Sequence, residues 1–403
     1  MRPVRCLAVM LLGVLAGCAG GITVRNPQSL PAHLPVQTVP VGIAGDYKPD
    51  LALLPDGELL LVMFQPQHNA NGTYQENIIL YRSADGGQTW GTRQVLPLLG
   101  REPYFSITRG GVLFLTAQFL PADYRNTLGY SYAFVYRSED NGRSWQGLPV
   151  TLADVPGGAR SKGTITSRTI LELSDGSLLL GVSSGATSYV WRSHDSGLSW
   201  QRVAARTPDV ARDGVHEFFD EMVLYQPVDG GLLGIGRIGA CELLPPFPGT
   251  RCPTSGGDIT DRMALFRSAD GGATWQLDGP LGDYYGQMYP ALLRLPHDAM
   301  LFTFTDRDLQ VPLGVEAARA AATPHGFTVN FVADRILIDT HTPATEPNGG
   351  GFGNTVQLRD GTLVTAYSYR DGAGLTHAQV ARWRLTGRAA DAARRNQSAP
   401  GVS

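Results

Sequence analysis

The sequence predicts an all-β chain of six repeated β units, and two repeats carry that prediction. One is an octapeptide, Ser-x-Asp-x-Gly-x-(Ser/Thr)-Trp. It reads SADGGQTW from Ser83, SEDNGRSW from Ser138, SHDSGLSW from Ser193 and SADGGATW from Ser268. Each copy follows an apolar run ending in Arg: ILYR, FVYR, YVWR and ALFR. The other repeat is an apolar run, a tight turn and a second apolar run. Its turns fall at Asp56-Gly57, Gly110-Gly111, Asp175-Gly176, Asp229-Gly230, His297-Asp298 and Asp360-Gly361. Asp-Gly between apolar strands is a strong hairpin signal. A hairpin followed by two more strands, repeated along the chain, is the signature of a blade.

The octapeptide is built for a turn. Asp85, Asp140, Asp195 and Asp270 can accept bonds from turn amides. The glycine two residues on allows positive φ, and the closing Trp starts the next strand with a large apolar anchor. Strand order separates these turns from any chemistry. In each blade the first strand leaves one face and the second returns to it. The octapeptide, between strands three and four, therefore lies on the opposite face and is structural. Candidate functional residues belong at the starts of first strands, the ends of second strands and the linkers after them.

The octapeptide resembles the Asp box of the sialidase (neuraminidase) superfamily, and the resemblance runs from about Tyr47 to about Arg384. It implies a sialidase-type six-bladed propeller and glycoside hydrolase chemistry. It calls for no cofactor and no metal ion.

Taken in order, residues 1–18 read as an export signal. Arg2 and Arg5 precede the apolar LAVMLLGVLAG, which is short for a membrane span. Leu15-Ala16-Gly17-Cys18 resembles a bacterial lipobox, which implies lipidation at Cys18 and a membrane anchor. Ala19 leans towards the outer membrane of the cell envelope. Residues 19–34 are polar and read as a tether. PVQTVPVGI, from Pro35, reads as a strand that completes the last blade and removes its open edge. The propeller occupies 35–387, and the Ala- and Arg-rich residues 388–403 read as a flexible tail. Cys241 and Cys252, the cysteines left to an exported domain, suggest one disulfide.

Composition narrows the partners. The 403 residues are 43% hydrophobic and 17% charged, with 49 Gly and 27 Pro, which suits many short strands and turns. A net charge of −3 without a basic run argues against nucleic acid.

Counting from the hairpin turns gives a ring on the working face. It comprises Lys48, Asp50 and Gln65; Arg101, Glu102 and Gln118; Arg168 and Ser183; Glu221 and Arg237; Tyr289, Asp306 and Arg307; and Asn354, Tyr367, Tyr369 and Arg370. Of these, Arg237, Arg307, Arg101, Arg168, Lys48, Tyr289 and Tyr367 are the candidate substrate-binding residues. Converging cations favour an anionic ligand, with a carboxylate held bidentately by Arg. The alternative is a set of mutually neutralised ion pairs using Asp50, Glu102, Glu221 and Asp306.

EMVLYQPVDGGLLGIGR, from Glu221, resembles the sialidase segment whose Glu polarises the nucleophilic tyrosine and whose Arg grips the substrate carboxylate. The resemblance makes Glu221 the candidate catalytic residue, and it places Arg237 and Arg307 among the carboxylate-binding arginines. Four positions depart from the family pattern. Tyr47 stands where the first arginine is expected, and Phe352 where the nucleophilic tyrosine is expected. Ser368 replaces a glutamate, and the first linker, QPQHNANGTYQE, has no acid/base Asp. His68, Glu76, His216, Glu217 and Tyr289 are neighbours that could substitute. The function expected is a glycoside hydrolase acting on an anionic glycan outside the usual sialidase catalytic set. The alternative is a non-catalytic glycan- or peptide-binding envelope protein.

Overall fold

The computed structural model describes residues 21–207, 218–239, 244–251, 257–307, 313–343 and 350–385. The export signal with Cys18, the pair Cys241 and Cys252, His216, Glu217 and the tail 388–403 lie outside the described residues.

The described strands form six antiparallel sheets in chain order. Sheet one is Tyr47–Leu53, Leu59–His68, Tyr74–Ser83 and Gln94–Leu99. Sheet two is Arg101–Ile107, Leu113–Phe119, Tyr132–Ser138 and Gln146–Val150. In sheet three the first strand is broken into Ile165–Thr166 and Leu171–Glu172, followed by Leu178–Ser184, Thr187–Ser193 and Gln201–Ala205. Sheet four is Val223–Tyr225, Leu232–Ile238, Arg262–Ser268 and Gln276–Leu281. Sheet six is Thr355–Gln357, Leu363–Arg370 and Thr376–Trp383, with Val36–Val41 as its outer strand. Those five are plain blades.

Sheet five differs, and it corrects the expectation that residues 19–34 are a tether. Its core is Gln287–Arg294, Ala299–Asp306, Gly314–Thr323 and Arg335–Leu337, but it has seven strands. Gly326–Val329 pairs with Gly314–Thr323 on the same side as Arg335–Leu337, and Ile22–Arg25 and His33–Leu34 extend the sheet beyond Arg335–Leu337. Residues 22–34 are therefore part of the fold. The cause is apolar burial: Ile22, Val24, Leu30 and Leu34 are buried between sheets five and six. The Asp334 carboxylate fixes the bend by accepting the backbone N–H groups of Gln28, Ser29 and Leu30 at 2.6, 3.0 and 3.1 Å.

The sheets close into a ring of blades because each pair of neighbours shares a core. Leu60, Val62 and Leu80 of sheet one meet Phe105, Leu113 and Leu115 of sheet two. Comparable clusters join two to three, three to four, four to five, five to six and six back to one. Inner strands are thus packed on both faces and lose the alternation of a half-exposed strand. In LLLVMF, from Leu59, all six side chains are buried. At the closing seam the Asn354 amide accepts from Leu51 N and donates to Leu51 O, both at 2.8 Å.

Each octapeptide turn is held by its own serine and aspartate. In the second copy Ser138 Oγ accepts the buried Gly142 N–H at 2.9 Å and donates to Asp140 at 2.8 Å. Asp140 also accepts from Arg143 N, Ser144 N and Ser144 Oγ at 3.0, 2.8 and 2.6 Å. Those bonds, led by that from Ser144 Oγ, hold its pKa well below the usual carboxylate range. Asp85, Asp195 and Asp270 bind their turns in the same way. Ser138→Ala should cost about 1–3 kcal/mol, because a buried N–H loses its acceptor. Urea unfolding checks this. An unchanged midpoint would show that the turn does not rely on the serine.

Candidate functional site

One backbone device builds the floor of the site. Lys48, Glu102, Glu221, Tyr289 and Phe352 each stand eight residues before the first residue of their hairpin turn. All five are left-handed, with φ of 50°, 49°, 52°, 55° and 59°. Strand register shifts at this point in sheets one, two and five, as one-residue bulges do. For non-glycine residues this conformation costs of order 1 kcal/mol or more each, and such strain clusters at functional sites. In sheet three Arg168 stands seven residues before Asp175 rather than eight, in the gap of the broken strand.

The bulged side chains meet at the axis. Lys48 Nζ lies 2.7 Å from Glu102 Oε1 and 4.2 Å above the Phe352 ring. Phe352 packs against Tyr289 with ring centres 4.4 Å apart. Arg168 is sandwiched between Tyr104 and Tyr289 at 4.5 and 4.4 Å, and its Nη2 is 3.8 Å from Glu221 Oε1. Arg168 is only 6% exposed, and its Nε and Nη2 make no hydrogen bond within the described protein. This ring is a partition. A cavity of about 30 Å³ lies beside Glu102, Gln118, Arg168 and Glu221, and a chamber of about 310 Å³ lies beside Asp50, Arg168, Val223, Ala291 and Asn354.

Further arginines reach the working face. Arg237 is the last residue but one of the second strand of sheet four. Its Nη1 donates to Glu221 Oε2 at 2.9 Å, its Nε to Asp261 Oδ2 at 2.5 Å and its Nη2 to Asp258 Oδ1. The Tyr289 hydroxyl is 3.3 Å from Arg237 Nη1. Arg307, just past the second strand of sheet five, donates from Nη1 to Asp258 Oδ2. It also lies 4.8 Å above the Phe352 ring. Arg101 pairs with Glu102 at 3.0 Å and Glu76 at 3.5 Å, and stacks on Phe64. Tyr47 lies edge-on to Phe352 at 5.2 Å.

Burial and charge oppose one another across the site. Burial raises Glu102, but Lys48 and Arg101 overcome it and depress its pKa to about 2. Burial pushes Tyr47 up to about 12, against the pull of Arg307, and carries Asp50 up to about 7. Burial also raises Asp261, although Arg237 opposes it. Among the described residues no three His, Cys, Asp or Glu side chains are grouped to hold a metal ion.

Lys48, Arg101, Arg168, Glu221, Arg237, Tyr289 and Arg307 therefore lie around one axis, and Tyr367 does not. Tyr367 is fully buried in the core between sheets five and six, where its hydroxyl donates to Gln379 at 2.7 Å. It stands seven residues after its hairpin Asp360, whereas Arg237 stands eight after Asp229. With side chains alternating every residue, that offset turns Tyr367 to the other face of its strand. Asp306 is also turned away, to Arg335 at 2.5 Å within a buried cluster with Glu316 and Asp283. Sequence reasoning missed the partners Asp258 and Asp261. It also missed the rule shared by Lys48, Glu102, Glu221, Tyr289 and Phe352, which was present as their eight-residue offset.

No family model matches the chain, and no curated protein matches it. Solved structures do. A Dyadobacter fermentans protein of unknown function superposes with a TM-score of 0.63 at 18% identity, over 87% of this chain and 99% of that one. The leech intramolecular trans-sialidase, complexed with 2,7-anhydro-Neu5Ac, matches at 0.59 and 13% identity, over 85% and 68%. The Penicillium chrysogenum α-L-arabinanase, complexed with arabinobiose, matches at 0.53 and 14% identity, over 91% and 99%. The chain is an all-β propeller of the sialidase type. At these identities the likeness is one of fold, and it leaves the site chemistry to the residues themselves.

Glu102 offers a test of the floor. A depressed carboxylate pKa stabilises the fold above its unfolded value and loses that contribution as pH falls through the folded value. Glu102→Gln, which strands the buried Lys48 and leaves Arg101 with its longer contact to Glu76, should cost roughly 3–5 kcal/mol at neutral pH. The gap from wild type should close as pH falls from about 4 to about 2. Urea unfolding at stepped pH measures it. A gap independent of pH would remove the charge pairing as its cause.

Proposed function

We propose that this protein binds a glycan carrying a carboxylate on the axial face, as a sialidase-superfamily propeller of glycoside hydrolase type. The observation that carries the reading is Arg237 and Arg307, from neighbouring sheets, gripping one carboxylate between them beside Glu221. Planar guanidinium groups suit carboxylates in this way. Sialidase and arabinanase structures of the same fold, complexed with 2,7-anhydro-Neu5Ac and with arabinobiose, support a carbohydrate partner.

The chemistry departs from a conventional sialidase. Glycoside cleavage with retention needs a nucleophile and an acid/base group. Phe352 has no hydroxyl, and the linker after the second strand of sheet one has no Asp. The hydroxyl beside Phe352 and Arg237 is that of Tyr289, whose pKa burial raises well above its ordinary value. In the hydrolase reading Glu221 is the acid/base or electrostatic group. The missing hydroxyl at Phe352 favours the second reading, a non-catalytic glycan-binding protein. We expect little or no cleavage of a fluorogenic sialoside, and glycan binding that Arg237→Ala weakens by roughly 1.5–3 kcal/mol. Turnover at ordinary enzyme rates would refute the first expectation. Unchanged affinity of Arg237→Ala for the best ligand on a glycan array would refute the second.

We further read the octapeptides as Asp boxes and the chain as an exported envelope lipoprotein, lipidated at Cys18, with Cys241 and Cys252 joined. Cys18→Ser should abolish lipid labelling and membrane fractionation, and unreduced peptide mapping should recover the Cys241–Cys252 bridge. Retained labelling, or two free thiols, would reject the corresponding statement.

A further inference from the structure

We propose that Asp258 is a built-in competitor for the anion seat of the axial pocket, and that its carboxylate limits how tightly a carboxylated sugar binds. This rests on the anionic-glycan reading above.

The contacts of Asp258 are those expected of a ligand. Its two oxygens are divided between two guanidinium groups, Oδ1 on Arg237 Nη2 and Oδ2 on Arg307 Nη1. The arginines come from sheets four and five, and the carboxylate bridges the seam between them. Asp258 belongs to neither hairpin. It sits in the short turn Gly257–Ile259, ahead of the third strand of sheet four. Its side chain is 26% exposed, while that of Arg307 beneath it is 2% exposed. The cation is therefore fixed and the anion is on the solvent side.

The arginines do not depend on Asp258 for their positions. Arg237 also holds Glu221 and Asp261, and Arg307 is seated above the Phe352 and Tyr289 rings. A carboxylate arriving from solution finds both donor groups turned towards the seat but satisfied. It must displace Asp258 to use them, so binding carries a competition that a neutral sugar does not face.

Asp261 differs although it touches the same guanidinium. It is 5% exposed, its described ion pair is with Arg237 alone, and its backbone carbonyl accepts Gly286 N–H at 2.7 Å. It is a support for Arg237 rather than an occupant of the bridge. Neutralising it therefore provides a control for simple loss of charge.

The experiment is calorimetric titration of the full mature protein with glucuronate, galacturonate and N-acetylneuraminate, each beside its methyl ester. Asp258→Asn and Asp258→Ala should bind at least one acid ten-fold or more tighter than wild type, with the ester unchanged. Asp261→Asn should gain less than three-fold, and adding Arg237→Ala to Asp258→Ala should abolish the gain. Melting curves confirm that each variant is folded, and Asp258→Ala stands in if Asp258→Asn is not. If wild-type binding depends on Arg237 but neither Asp258 variant tightens it, the competitor role fails and the anionic-glycan reading survives. Equal gains for acid and ester, or for Asp261→Asn, would likewise overturn the role. If no acid binds wild type or any folded Asp258 variant, the anionic-glycan reading itself falls.

Discussion

The organising constraint of this structure is the narrow axis on which six first strands converge. Five of the six sheets hold one residue there in the left-handed region, and three of those strands bulge at that point. Space there is limited, and the surroundings are of low dielectric, so charges that enter must be paired. The ring answers this by alternating sign: Lys48 with Glu102, and Arg168 with Glu221. The remaining arc is aromatic, with Tyr289 against Phe352. Removing any one member leaves either an unpaired buried charge or a void, so the floor behaves as one unit.

That unit is held from outside by the closure of the ring. Val36–Val41 supplies the outer strand of sheet six, and Asn354 locks sheet six to sheet one next to the floor. The preceding residues 22–34 then tie into sheet five through apolar burial and Asp334. The N-terminal segment thus clamps the last two sheets to one another. Those sheets carry Tyr289, Arg307 and Phe352, so the clamp fixes the blades on which one side of the site is built.

The repeats were legible in the sequence because each is enforced locally. Asp140 and Ser138 satisfy their own turn within seven residues, and Asp-Gly hairpins announce themselves. The floor was half legible. Glu221, Lys48 and Arg168 could be placed by counting from the turns, but the left-handed backbone that unites them is a tertiary demand and not a propensity. Tyr367 shows the limit of counting, since one residue of error exchanges the faces of a strand. Asp258 and Asp261 were not legible, because a long linker separates them from Arg237 and no pattern fixes where such a linker returns. Residues 22–34 misled by composition: four apolar positions among polar ones suffice once a neighbouring sheet offers an edge.

The replacement of a hydroxyl by Phe352 can then be read as more than a loss. A tyrosine there would bring a polar tip into a crowded cluster of cations. The phenyl ring instead offers its face to Lys48 at 4.2 Å and Arg307 at 4.8 Å. Cation–ring contacts of about 0.5–2 kcal/mol each offset part of the cost of burying those charges without adding a group that must itself be paired. Tyr47 and Tyr289 flank the same ring at 5.2 and 4.4 Å, and Tyr289 directs its hydroxyl to Arg237. The aromatic arc therefore serves as the support on which Arg307 and Lys48 rest, and the polar work of the site is left to Glu221, Arg237 and Asp258 on the side facing solvent.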